Sequence, residues 1–97
     1  MTEKEAKKEL MRRSLEISPT VHVGKEGLKE SVAEEIKAQI KKNRLIKIKI
    51  LPGAETETQE MAESIAEATG NIVVDVRGGV IILTDKRTWT SLSQKKF

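Results

Sequence analysis

Residues 45–50, LIKIKI, alternate aliphatic and basic side chains. Because a strand points successive side chains to opposite faces, this segment predicts a strand with its isoleucines on the core side and Lys47 and Lys49 on the outside. The residues before it carry aliphatic side chains at the spacing of one helical face, namely Leu28, Val32, Ala33, Ile36 and Ile40. An amphipathic helix that leads into a half-exposed strand predicts a domain that mixes helices with a sheet.

The other elements follow from the same periodicities and from turn residues. A first helix is expected to open at a capping box of Thr2 and Glu5 and to end before Ser18. After it come a strand over 20–23, the helix and strand described above, a third helix that stops at Gly70, and two strands over 72–77 and 80–84 joined by a Gly-Gly turn. One domain is expected over residues 1–87, and the polar residues 88–97 are expected to form a loose tail.

The predicted order α-β-α-β-α-β-β indicates an α/β (α+β) fold with a four-stranded mixed sheet and helices. Right-handed crossovers make the first three strands parallel, and the final hairpin adds an antiparallel strand. The run from Val80 to Leu83 is apolar on both faces of its strand. The first helix is therefore expected to cover part of the sheet face opposite the other helices.

Composition excludes several classes of function. The chain of 97 residues has no cysteine, so it has no disulfide, thiolate metal site or cysteine nucleophile. Its one histidine, His22, has no paired carboxylates around it in the sequence and is interpreted as a packed or surface residue. No nucleophile–base or metal constellation is visible, so we expect neither an enzyme nor a cofactor. The longest apolar run is four residues, against the ~20 of a membrane helix, so a soluble cytoplasmic protein is expected.

Basic residues are concentrated in one segment, although the net charge is only +3. Residues 37–49 contain six basic and no acidic side chains, which are Lys37, Lys41, Lys42, Arg44, Lys47 and Lys49. A one-sided basic surface is typical of proteins that bind polyanions. A solvated lysine-rich face that maintains solubility explains the same segment.

The turn Gly24-Lys25-Glu26-Gly27 lies between a predicted strand and a predicted helix. Its glycines permit positive φ and close approach of another backbone. The amides of Gly27, Leu28 and Lys29 are expected to be free donors at the helix N-terminus, where the dipole favours an anion. A simple tight turn is the alternative, and the spacing matches neither a P-loop nor a dinucleotide-binding fingerprint.

Topology predicts which basic residues accompany this turn. Parallel strands end at one edge of a sheet, so that edge is expected to gather Lys25, Lys29, Lys49 and Arg77 beside the Gly78-Gly79 turn. The second basic group, Lys41, Lys42 and Arg44, is expected about 20 Å away, at the other end of a helix of ~15 residues. The sequence leaves open whether the two groups form one track or two clusters.

The segment VHVGKEGLKESVAEEIKAQIKKNRLIKIKI, followed by ETQEMAESIAEATGNIVVDVRGGVIILTDK, resembles the CRM domain (chloroplast RNA splicing and ribosome maturation), whose stand-alone prokaryotic form is the YhbY family. The similarity covers about residues 5–87. It depends on an ordered series: GxxGL after a short strand, a basic NRLIKIKI strand, ATG at the end of the third helix, and a glycine-turned hairpin.

The resemblance implies an RNA-binding domain with a fold like the C-terminal domain of translation initiation factor three. Its GxxG loop is analogous to that of KH modules, which clamp the nucleic-acid backbone. Bacterial members are associated with precursors of the large ribosomal subunit and plant relatives with group II intron splicing. Gly24, Lys25 and Gly27 match the loop motif, and Lys47 and Lys49 match basic positions on the second strand.

The loop departs from the family pattern at two positions. Glu26 places a carboxylate where phosphate should approach, and Lys29 stands where a small hydroxyl residue is common. The first change is expected to weaken RNA binding and the second to offset it in part.

The leading hypothesis is an RNA-binding protein that grips the RNA backbone through the GxxG loop and neighbouring basic residues, with structured ribosomal RNA or pre-ribosomal particles as its partner. The alternative is a protein-interaction adaptor that docks ribosomal or CRM-like partners. Trp89 is interpreted either as a stacking platform for an unpaired base or as an indole packed against the sheet. No membrane partner is expected, and the oligomeric state is open.

Overall fold

The computed structural model describes residues 2–24, 27–52 and 57–93. In chain order the helices and strands are α1 (Glu3–Ser14), β1 (Val21–Val23), α2 (Glu30–Asn43), β2 (Leu45–Ile50), α3 (Thr58–Thr69), β3 (Ile72–Arg77), β4 (Val80–Thr84) and α4 (Lys86–Ser93). The predicted capping box is present at the start of α1, where the Thr2 hydroxyl accepts from the Glu5 amide and the Glu5 carboxylate accepts from the Thr2 amide. None of the helices in these described ranges is long and apolar enough to cross a membrane.

The four strands form one mixed sheet in the order β1-β2-β4-β3, which confirms the predicted fold class. β1 and β2 are parallel, while β4 pairs antiparallel with both β2 and β3. The first three strands therefore run in the same direction, but β4 separates β3 from β2. The central position suits β4 because its residues from Ile81 to Thr84 are all buried, whereas most residues of β3 are only partly buried.

The sheet packs on both faces. On one face, α2 and α3 cover the larger core, which includes Ile36, Ile48, Ile65 and Ile81. On the other face, Leu10 of α1 packs into a smaller core, whose other buried members are Leu45, Val74 and Ile82. The first helix thus covers the second face of the sheet, as the two-sided apolar pattern of β4 predicts.

The expectation of a loose tail after residue 87 is wrong for the described part of that segment. Residues 86–93 form α4, which packs beside α1, and Trp89 and Leu92 pack against the smaller core. The two side chains are three residues apart and therefore share one face of the helix. That apolar face explains why a mostly polar segment is ordered against the sheet, and Trp89 takes the packed alternative.

We predict that Leu10→Ala lowers the free energy of unfolding by about 2–5 kcal/mol, because it leaves a cavity beneath α1. Urea unfolding followed by circular dichroism measures the change. Leu15→Ala is the matched control, since Leu15 follows directly after α1 and is 79% exposed. Its effect is expected within about 0.5 kcal/mol. Equal losses for the two variants would contradict the packing of α1 on the sheet.

Candidate functional site

The turn between β1 and α2 closes on itself. The Gly27 amide donates to the Gly24 carbonyl over 3.0 Å. Gly27 has φ +74°, and a Cβ there would lie 3.8 Å from the Met61 Cε, so conformation rather than space requires glycine. Lys25 and Glu26, between these glycines, lie outside the described residues.

The expectation of a free Gly27 amide is wrong, because that amide closes the turn. α2 begins at Glu30, with Lys29 as its extended N-cap, so Leu28 and Lys29 connect the turn to the helix. Leu28 packs against the larger core. The amides without an intrahelical acceptor are therefore those of the first turn that starts at Glu30. Lys29 is exposed at this N-cap position.

Three loops meet at the edge of the sheet where β1, β2 and β3 end. The Leu51 amide donates to the Val23 carbonyl over 2.8 Å, and a Cβ at Gly24 would lie 3.7 Å from the Leu51 Cδ1. The Ile50 amide donates to the Gly79 carbonyl over 2.7 Å. The glycine turn, the end of β2 and the β3–β4 turn therefore share one edge of the molecule.

The strand register places four residues in a line across the sheet at this edge. His22 pairs with Lys49, Lys49 with Val80, and Val80 with Arg77. We call these four residues the transverse row. They lie on the face opposite α2 and α3, because their neighbours Ile50, Val23 and Ile81 are in the larger core. His22, Lys49 and Arg77 are exposed, and Val80 is half-buried.

Lys47 occupies the next line of residues and is half-buried. Its cross-strand partner is Ile82, which pairs in turn with Asp75. Asp75 lies beside the transverse row in this arrangement, and it contacts two cations. Its Oδ2 accepts from the Arg77 Nε over 2.9 Å, and its Oδ1 lies 3.8 Å from the Lys7 Nζ of α1. Arg77 remains 73% exposed while it makes this contact.

Burial alone would raise the pKa of Asp75, but hydrogen bonds and charge reverse the effect. The Val76 amide donates to its Oδ1 over 2.9 Å, and the Arg77 guanidinium donates to its Oδ2. Together with the nearby Lys7 ammonium these contacts lower the pKa of Asp75 below its ordinary value. The carboxylate is therefore ionised at neutral pH and orients the Arg77 side chain at the edge of the sheet.

The face of the sheet that α2 and α3 cover has no excess of basic residues on its helices. α3 carries three acidic side chains and no basic one, and Glu60, Glu63 and Glu67 are exposed. α2 carries equal numbers of acidic and basic residues. A polyanion is consequently favoured on the face of the transverse row and disfavoured along α3.

The second basic group lies at the opposite end of the sheet. Lys41 and Lys42 are exposed in the last turn of α2, and Arg44 is its C-cap, with φ +67°. The Arg44 Nη1 lies 3.5 Å from the Asp85 Oδ2, and its carbonyl accepts from the Thr84 hydroxyl over 2.7 Å. Because β2 starts beside this group and ends at the transverse row, the two basic groups are separate clusters.

The structure adds residues that the sequence patterns do not indicate. His22 joins the transverse row, and its outward position on a strand beside Lys49 is a signal only once the register is known. Arg13 of α1 and Arg87 of α4 lie with Arg44 around cavities at the opposite end. No group of three or more potential metal ligands occurs within residues 2–24, 27–52 and 57–93.

We predict that Asp75→Asn lowers stability at neutral pH by less than about 1 kcal/mol, because it removes the negative charge that forms ion pairs with Arg77 and Lys7. Since the folded-state pKa is lowered, this contribution is present above the ordinary carboxyl pKa near 3.8 and is lost as pH falls through the folded value. Urea unfolding of the wild type and the variant between neutral and acidic pH measures this contribution. High salt is the control, because it screens the ion pairs and reduces the difference in free energy of unfolding between the two proteins. If the two proteins still differed in free energy of unfolding at acidic pH, the stabilising role of the ionised Asp75 carboxylate would be refuted.

Comparison with known proteins places this geometry in a family. The family model for the CRS1/YhbY (CRM) domain matches residues 1–83. None of the curated proteins matches the chain. Among solved structures, the hypothetical protein SAV1595 from Staphylococcus aureus, described as a candidate RNA-binding protein, superimposes with a TM-score of 0.74 at 28% identity, over 89% of this chain and 90% of its own. The chain belongs to the CRS1/YhbY (CRM) domain family.

Proposed function

We propose that this protein binds the sugar-phosphate backbone of RNA through the glycine turn and the transverse row. We further propose that it does so in the cytoplasm, during assembly of the large ribosomal subunit. The glycine turn contributes Gly24, Lys25, Gly27 and Lys29, and the sheet contributes Lys47, Lys49 and Arg77. Lys41, Lys42 and Arg44 form a second contact region. The activity is binding and requires no catalytic group, cofactor or metal.

The transverse row is the observation that carries the proposal. Neighbouring strands are about 4.8 Å apart, so the three steps from His22 to Arg77 span roughly 14 Å. Lys49 and Arg77 thus present two cations on an exposed face, about 10 Å apart, which is suited to separate phosphates of one strand. Asp75 orients Arg77 without burying it, since the Nε contact leaves the outer guanidinium nitrogens for a ligand.

Family membership supports the same function. The match of the chain to the CRS1/YhbY (CRM) domain and to a candidate RNA-binding protein of Staphylococcus aureus favours RNA over other polyanions. Contacts to phosphates supply affinity with little sequence discrimination. The acidic α3 on the opposite side of the sheet favours one orientation of the domain on its RNA.

We predict that the double variant Lys49→Ala/Arg77→Ala weakens binding to structured ribosomal RNA and reduces its salt dependence. Each lost phosphate contact lowers the log–log salt slope by about 0.7 for single-stranded RNA, so two lower it by about 1.4. Filter-binding titrations at several salt concentrations measure both effects. The matched control is Lys4→Ala/Lys8→Ala, which removes two exposed charges from α1. If the salt slope of Lys49→Ala/Arg77→Ala equalled that of the wild type, the transverse row would not be part of the RNA-binding surface.

The adaptor alternative gives a different result in the same titrations. A protein–protein interface would retain binding partners at high salt and would tolerate the loss of Lys49 and Arg77. Wild-type protein that binds no RNA at low salt but captures ribosomal proteins at high salt would favour the adaptor over the RNA-binding function.

A role in large-subunit assembly predicts co-migration with immature large-subunit particles. Sucrose-gradient sedimentation of cell extract, followed by immunoblotting of the fractions, measures it. The Lys49→Ala/Arg77→Ala variant is expected to shift to the top of the gradient, and Lys4→Ala/Lys8→Ala is expected to remain with the particles. Wild-type protein found only with mature or small-subunit particles would contradict this role while leaving RNA binding intact.

A further inference from the structure

A cavity of about 520 Å³ opens at the end of the sheet opposite the transverse row. It lies between the C-terminal end of α1, the loop before β1, and the start of β2. Its floor is apolar and is formed by Leu10, Ile17, Leu45 and Ile46. The volume falls within the range of about 300–1,000 Å³ that is usual for small-molecule sites. The lining contains no acidic side chain.

Arginines from three separate elements line this cavity or the one that adjoins it. Arg13 of α1 and Arg44 at the end of α2 line it, and both also line an adjoining cavity of about 390 Å³ together with Arg87 of α4. We call the two adjoining spaces the arginine-rimmed cavity. An apolar floor beneath several guanidinium groups selects a ligand that is partly apolar and partly anionic.

Two of the arginines are held by carboxylates outside the cavity. The Arg13 Nε lies 3.1 Å from the Glu9 Oε1, and the Arg44 Nη1 lies 3.5 Å from the Asp85 Oδ2. Each of these two contacts engages one guanidinium nitrogen, and a guanidinium offers five N–H donors. The carboxylates therefore position the arginines while donors remain for an anion, as Asp75 does for Arg77 at the other end of the sheet.

Polar groups in the wall suit the edge of a nucleobase. Thr20, which is exposed at the mouth, supplies a hydroxyl, and Asn43 supplies a carboxamide whose Nδ2 donates to the Gln39 Oε1 over 3.0 Å. Hydroxyl and amide groups form hydrogen bonds to base edges, and a guanidinium plane stacks on the base itself. A base reaches such a cavity only when it is unpaired and unstacked.

We propose that the arginine-rimmed cavity receives one unpaired nucleotide of the bound RNA, with the base on the apolar floor and its phosphate at Arg13, Arg44 and Arg87. This inference rests on the proposed RNA-binding function and adds a preference for single-stranded RNA to it. Of the second basic group, Arg44 then belongs to a nucleotide site that is separate from the transverse row.

The test compares three variants with the wild type on three probes. Thr20→Phe fills the mouth of the cavity, Arg87→Ala removes one arginine, and Lys86→Ala removes a neighbouring exposed charge that does not line the cavity. The probes are a short single-stranded RNA, the same RNA in a blunt duplex, and an abasic strand of equal length. Fluorescence anisotropy at several salt concentrations measures the affinities.

The cavity proposal predicts a distinct pattern of losses. Wild-type protein binds the single strand more tightly than the duplex or the abasic strand. Thr20→Phe weakens binding of the single strand about tenfold, as expected for one lost stacked base, and leaves the abasic strand unchanged. Arg87→Ala lowers the salt slope by about 0.7, whereas Lys86→Ala behaves like the wild type.

The results that overturn this proposal differ from those that overturn RNA binding itself. Equal affinity of the wild type for all three probes, or single-strand binding by Thr20→Phe and Arg87→Ala that matches Lys86→Ala, rejects the cavity and leaves the backbone grip of Lys49 and Arg77 standing. If Thr20→Phe fails to fold, the salt slope of Arg87→Ala and the affinity of the wild type for the abasic strand test the cavity proposal. Wild-type protein that binds none of the probes but binds an acidic aliphatic peptide rejects both.

Discussion

The antiparallel pairing of β2 with β4 is the contact on which the rest of the molecule depends. It joins the parallel pair β1-β2 to the β3-β4 hairpin, and it contributes residues to both cores, with Ile48 and Ile81 on one face and Leu45 and Ile82 on the other. Its register brings Lys49 into line with Arg77 through Val80. A shift of one residue would turn the lysines of β2 into the larger core, so burial of the isoleucines also fixes where the charge is displayed.

The sequence was sufficient for the parts of the fold that repeat with a regular period. The alternation in residues 45–50 and the helical spacing from Leu28 to Ile40 each have one favourable arrangement, so β2 and α2 follow from them. The position of β4 between β2 and β3 does not, because several sheet orders are compatible with a final hairpin. Trp89 and Leu92 define an apolar face too short to predict α4, which becomes stable only through packing on the sheet.

The same distinction holds for the candidate site. Strand direction alone predicts that Lys49 and Arg77 lie at one edge, since parallel strands end together. The inclusion of His22 in their line depends on the β1-β2 register, which no local pattern determines. A glycine turn before a helix resembles an anion site, so the sequence pattern predicts a free Gly27 amide. In the structure that amide donates to the Gly24 carbonyl within the turn, and α2 starts only at Glu30.

The two ends of the sheet share one kind of contact, an ion pair between a carboxylate and an arginine, in different surroundings. At each end a carboxylate holds an arginine, Asp75 for Arg77 and Asp85 for Arg44, so that a flexible side chain is ordered before a ligand arrives. Ordering in advance lowers the entropic cost of binding. At the transverse row the arginine lies on an open face suited to backbone phosphates. At the other end the arginine lines an apolar cavity, which we propose as the site of an unpaired nucleotide. Under the two proposals, the grip on the RNA backbone and the preference for single strands arise from different ends of one sheet.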